Sequence, residues 1–261
     1  VDADVKVNTN TEDYVAWCWK ANGTGSSNTD GSINTAATSA NTTAGFSINT
    51  YTGTGSGATV GHGLGAVPGF IVIKNLSEIQ DWRVYHDATA ASPGTKNLVL
   101  NSNVVLNDDN AHFNDEDATS SVFSLGDNHG SNKSGDSLVA YVWAPIQGYS
   151  KFGSYEGNGN ADGAFIYTGF RPALIFTKEI DATSSWMVFD NKRSGYNGDT
   201  LTLRFNDNGG DGNSNLIDIL SNGFKIKSTS SEVGTAGSTY VWGAWAEAPL
   251  VNSEGVPNNA R

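Results

Sequence analysis

Short apolar runs separated by clusters of Gly, Asn, Asp and Ser set the rhythm of this chain. "FIVIKN", "WRVYHD" and "SLVAYVWAP" are typical of the runs, rich in β-branched and aromatic residues. Such runs between turn-forming clusters are strand and turn signals, and no long stretch of good helix formers interrupts them. Over residues 45–147 the pattern predicts strands at about 46–52, 69–75, 81–87, 96–102, 121–126 and 137–144. "LSEIQ" reads as a hairpin connection between the second and third of these. Pro68 and Pro172 fall at strand starts, where a missing amide is tolerated.

The pattern repeats. Tyr51/Tyr155, Pro68/Pro172, Lys74/Lys178 and Trp82/Trp186 all recur at a spacing of 104 residues. "SLVAYVWAP" (137–145) then pairs with "TYVWGAWAEAP" (239–249), and "DYVAWCWKA" (13–21) is a third copy of that terminal run. Val15, Trp17 and Trp19 match Val139, Tyr141 and Trp143, and then Val241, Gly243 and Trp245. These runs are apolar on both faces, so each predicts a strand covered on both sides. The expected fold is all-β: two tandem antiparallel β-sandwich (jelly-roll-like) repeats, with an N-terminal strand from an upstream unit.

The units expected are a terminal strand at 1–20, a flexible Gly/Ser/Asn/Thr linker at 21–44, β repeats at 45–147 and 148–250, and a tail at 251–261. Tyr14–Trp19 is expected to be an ordered, buried strand, and each terminal strand to lie at a seam with the next repeat's first strand. With Met187 its one methionine, the chain reads as the C-terminal portion of a longer modular protein.

Composition narrows the function. The 261 residues carry 15 basic and 27 acidic side chains, a net charge of −12 that repels phosphate backbones and anionic lipid. Nucleic-acid and membrane partners are therefore not expected. No apolar run approaches the 18 residues of a membrane span. Cys18 stands alone within an apolar run, which rules out an intrachain disulfide and predicts a small buried residue.

No arrangement of nucleophile, base and orienter stands out, and the four histidines lack metal-ligand spacing. "GTGSGATVGHGLG" (53–65) lacks the Lys-Ser/Thr of a phosphate loop and reads as a turn. Two weaker chemistries remain. Asp207, Asp211, Asn213 and Asp218 around Gly212 form an oxygen-rich loop that could hold Ca²⁺, although Gly209 occupies a ligand position and Asp218 replaces the closing Glu. Trp82 and Trp186 could stack sugars, although recurrence at one position is equally the mark of a core residue. The recurrent Lys74 and Lys178 read as solvated or paired charges.

Together, "YVAWCWKANG", "TTAGFSI", "YTGTG", "GHGLG", "FIVIKN", "YSKFGSY", "GFRPA", "LSNGFK" and the terminal "NAR" carry a resemblance. Between Asp13 and Arg261 the chain resembles the C-terminal repeat region of a virion/fibre protein family of tailed phages of marine bacteria, often preceded by a concanavalin/laminin-G-like domain. The second repeat lacks "GHGLG". The resemblance implies a non-enzymatic virion-surface protein: a fibre, spike or capsid-associated fibre involved in host attachment. Its partners would be other virion proteins, copies of itself in a homo-oligomer such as a trimer, and a host-surface glycan or protein. A carbohydrate-binding β-sandwich module or adhesin of a cell surface is the alternative.

Overall fold

The computed structural model describes residues 9–193, 197, 198 and 200–249. The expected tail at 251–261 and residues 1–8 of the expected first strand lie outside them. The first unit contains β1 (Ala37–Asn41), β2 (Phe46–Thr52), β3 (Ala58–Gly61), β4 (Phe70–Asn75), β5 (Arg83–His86), β6 (Lys96–Val99), β7 (Asn107–Asp108), β8 (Val122–Leu125) and β9 (Ser137–Trp143). The second contains β10 (Ser150–Glu156), β11 (Phe165–Tyr167), β12 (Pro172–Glu179), β13 (Met187–Asp190), β14 (Leu201–Arg204), β15 (Gly212–Asn213), β16 (Ile217–Leu220), β17 (Gly223–Ile226) and β18 (Thr239–Ala246).

Each unit is a sandwich of one large and one small antiparallel sheet. In the first, the large sheet runs β1-β2-β9-β4-β5-β6-β7 and the small one pairs β3 with β8. In the second, the orders are β10-β18-β12-β13-β14-β15 and β11-β17-β16. The all-β, sandwich-type expectation holds. So does the hairpin at "LSEIQ", with Ile73 paired to Arg83 and Phe70 to His86.

The two large sheets face each other, which explains why the terminal strands are apolar on both faces. Along β9, Leu138, Ala140 and Val142 enter the first unit's own core, while Trp143 enters the core between the units, with Tyr141 packed against it. Along β18, Trp242 and Ala244 belong to the second unit's core, and Val241 and Trp245 to the shared one. Period-2 alternation thus serves two cores at once.

Three expectations are corrected. Neither terminal strand pairs with the other repeat: β9 lies between β2 and β4, and β18 between β10 and β12. The seam is a packing of faces.

Residues 21–44 are also no flexible linker. Ile33 is buried in the first core and bridges Val60, Ser26 bridges Thr38, and β1 adds a strand outside β2. Side-chain hydrogen bonds such as Asn28 N–H to Thr35 Oγ1 and Ser32 N–H to Thr59 Oγ1 order this polar stretch without an apolar run.

Tyr14–Trp19, finally, belongs to no strand among the described residues. The chain's copies of the neighbouring strands are already paired to β9 and β18. The segment still alternates: Val15, Trp17 and Trp19 are half-buried, whereas Ala16, Cys18 and Lys20 are exposed. Cys18 is therefore not the buried residue expected.

Candidate functional site

The seam is where the two units are joined, and its chemistry is almost wholly apolar. Phe70 meets Phe176 with ring centroids 4.8 Å apart. The equivalent tryptophans of the three terminal runs come together: Trp19 lies 5.5 Å from Trp143 and 5.1 Å from Trp245, edge-on to both. Edge-to-face aromatic pairs of this kind add roughly 0.5–1.5 kcal/mol each beyond their buried area. So little polar surface reaches the seam that the buried indole nitrogens of Trp17, Trp143 and Trp245 find no hydrogen-bond acceptor.

A few buried hydrogen bonds fix the register of the faces. His86 Nε2–H donates to the Trp242 carbonyl at 3.0 Å, and its Nδ1 accepts from Ala88 N–H at 3.1 Å. Both ring nitrogens are occupied, and burial lowers the pKa to about 4, so the ring stays neutral near pH 7. Trp186 Nε1–H donates to the Val99 carbonyl at 2.8 Å.

Between the sheets the seam opens into a cleft of about 420 Å³, walled by Phe70, Val72 and Trp82 of the first unit and by Phe176 and Trp245 of the second. Trp17 and Trp19 close one side. This volume falls in the range of about 300–1,000 Å³ that small-molecule sites occupy. A sugar is poorly suited to it, because its hydroxyls would be buried without partners, at roughly 1–3 kcal/mol each.

The two tryptophans expected to stack sugars are separated in fate. Trp186 is 0% exposed and belongs to the shared core, so it offers no surface. Trp82 is half-buried at the cleft wall, with its ring stacked on Tyr141 at 6.5 Å. The recurrence marked a packing position.

The acidic loop does not assemble a calcium site. Asp211 pairs with Arg193 at 2.7 Å, Asp207 accepts from Gly209 N–H, and Asp218 lies 3.8 Å from Lys227. Asn213 is exposed in β15, where its backbone pairs with Leu201. Among the described residues, no three His, Cys, Asp or Glu side chains gather closely enough to hold a metal. Millimolar EDTA is accordingly expected to leave the melting temperature unchanged in calorimetry. A fall reversed by added Ca²⁺ would contradict this.

Lys178 is the residue whose environment was least visible in the sequence. It is 0% exposed, its Nζ donates to the Glu179 carbonyl at 2.6 Å, and burial lowers its pKa to about 8. Because the folded pKa lies below the unfolded value, the unfolded chain holds this proton more tightly. The stability penalty is therefore complete below about pH 8 and is relieved as pH rises towards 10.5. Lys178→Met is expected to raise stability at pH 7 by about 2 kcal/mol and to flatten its rise between pH 8 and 9.5. Urea unfolding of both forms at several pH values is the check.

These features define an all-β double sandwich whose units share an aromatic core and enclose an apolar cleft. Residues 1–249 match a family described as a domain of unknown function, DUF7483, and the chain belongs to that family. Comparison with curated proteins and with solved structures found no match.

Proposed function

We propose that this chain is a non-enzymatic structural module of a virion surface, part of a tail fibre, spike or capsid-associated fibre that acts in host attachment. The observation that carries the reading is the joint. Two sandwiches are fused by a shared aromatic core and by buried hydrogen bonds, as suits a part that must transmit force and hold recognition surfaces in fixed relation. The acidic, Asn/Ser/Thr/Gly-rich composition and the motif resemblance to phage virion proteins point the same way. Multiple copies would supply avidity where single contacts are weak. Gold-labelled antibody against residues 45–250 should decorate purified particles. Unlabelled particles that contain the protein by mass spectrometry would place it inside the virion, and its absence from particles would remove the reading.

The second reading, a carbohydrate-binding module or adhesin, now rests on Trp82 alone of the two aromatic candidates. A glycan array comparing the chain with Trp82→Ala tests it: binding that survives the change leaves this ring no part in recognition.

A further inference from the structure

The two units present equivalent faces to each other, yet the seam closes over only one of them. In the first unit Leu100 N–H donates to the Trp82 carbonyl, and Asn101 Oδ1 accepts from Trp82 N–H. In the second, Phe205 and Asn206 make the same bonds to Trp186. Leu100 and Phe205 are thus equivalent, and the chain beyond them behaves differently in the two units.

The first unit's segment 99–106 crosses the seam. Ser184 N–H donates to the Asn103 carbonyl at 3.0 Å, Leu106 N–H donates to the Ile180 carbonyl at 3.2 Å, and Val99 caps the indole of Trp186. Lys178, like Trp186, is sealed from solvent. In the second unit Gly209, Gly210 and Asp211 stand where the first has Val104, Val105 and Leu106. Arg204 is held by Glu232 and Asp211 by Arg193, each at 2.7 Å, which keeps this segment on its own unit. Among the described residues no hydrogen bond joins 204–211 to 76–82. Trp82 and Lys74 are left uncovered, and the cleft is the space a reciprocal crossing would fill.

Trp82 also borders a second, polar hollow, shared with Lys74, Gln80 and Asn101. Phe70, Val72 and Lys74 lie on one face of β4, so the ammonium follows the apolar wall after one two-residue step of roughly 6.6 Å. Lys74 Nζ donates to the carbonyls of Asn75 and Gln80, each at 2.9 Å, and makes no ion pair with a carboxylate among the described residues. The net charge of −12 would oppose an anion at long range. Two carboxylates are near: Glu78, which also lines the hollow, is paired with Lys133, and Asp81 lies 3.5 Å from Arg83. With these paired, and more distant charges screened over about 8 Å at physiological salt, Lys74 is the charge of the hollow left without an ionic partner.

We propose that the cleft and the hollow form one amphipathic site for a free single-chain carboxylate. Its alkyl chain lies between Phe70, Val72 and Trp82 of the first unit and Phe176 of the second, and its carboxylate lies on Lys74. The site is continuous with the seam, so occupancy also adds apolar contact across the joint.

The test uses the full chain, sodium dodecanoate below its micelle concentration and, as an uncharged control, 1-dodecanol. Binding is followed by tryptophan fluorescence and calorimetry. Saturable dodecanoate binding is expected, weakened about five- to tenfold by Lys74→Gln, with dodecanol binding unaltered by that change. Leu100→Trp, which fills the cleft from its rim, should abolish binding of both; Ile48→Trp fills it from β2 if the first variant does not fold. No saturable binding to the wild type overturns the site. Unchanged affinity in Lys74→Gln overturns the placement of the carboxylate, and unchanged affinity in both filled variants overturns the cleft. Sedimentation showing the free chain to be a dimer, with Trp82 protected from quenchers, would mean that a second copy covers the cleft, and would overturn the proposal too.

Discussion

Trp186→Ala is expected to destabilise the protein by about 4 kcal/mol, whereas Trp82→Ala, the same residue immediately before the equivalent strand of the other repeat, should cost only about 1 kcal/mol. Trp186 is completely enclosed in the shared core, packs edge-on against Phe176 at 5.7 Å, and donates to the Val99 carbonyl. Truncation removes an indole's worth of buried area, leaves a void between two sheets that cannot collapse independently, and orphans a buried carbonyl. Trp82 has solvent and an existing cleft on one side, so its removal enlarges a space already open. Urea titrations of both variants read the difference directly. Equal losses would mean that the seam is as closed over Trp82 as over Trp186, and the asymmetry that creates the cleft would be gone.

That contrast shows where sequence reasoning reaches and where it stops. The large sheets were legible because apolar runs at period 2 report burial whichever partner provides it. The both-face runs at 138–143 and 240–245 signalled strands covered twice. They could not signal by what, because a strand's pattern records that a face is dry but not whether an adjoining strand, a second sheet or another repeat dries it. The stretch 21–44 hides its order for the opposite reason. β1 is "ATSAN", half-buried throughout, and the segment before it is held by Asn, Ser and Thr side chains whose partners lie up to 27 residues away. Composition alone makes such a segment look like a linker.

The sequence does not separate Lys178 from Lys74, the same residue in the same register; the segment 99–106, which bonds to Ile180 and Ser184, crosses beside only one of them. A sequence signal for the cleft did exist. Aligning the repeats past Leu100 and Phe205 sets Val104–Leu106 against Gly209–Asp211, an apolar segment against one without side chains or with a charge. Its meaning depends on the sheets meeting through equivalent faces, which no local pattern states.

The last expected result concerns the one place where the terminal runs themselves disagree. Trp17 and Tyr141 correspond to Gly243, so restoring the repeat's own residue with Gly243→Tyr would seem conservative. It is expected instead to destabilise the protein by at least about 3 kcal/mol, and Gly243→Ala by about 1–2 kcal/mol. A Cβ at Gly243 would stand 2.5 Å from Cε1 of Phe176 and 2.9 Å from Cδ1 of Phe152. Both rings belong to the shared core and are themselves packed against Phe70, at 4.8 and 6.1 Å. Phe152 cannot retreat without moving the opposite sheet, because a close-packed interior transmits the displacement, and Phe176, backed by Phe70, can yield only towards the cleft that it walls. The lower backbone entropy of alanine in a strand returns roughly 0.5–1 kcal/mol, which is why that variant costs less than its overlap suggests. An aromatic side chain at this position would occupy the space in which the rings of Phe152 and Phe176 lie. A Gly243→Tyr protein with an unchanged unfolding midpoint would show that the seam is loose at its centre, and the rigid joint on which the proposed function rests would go with it.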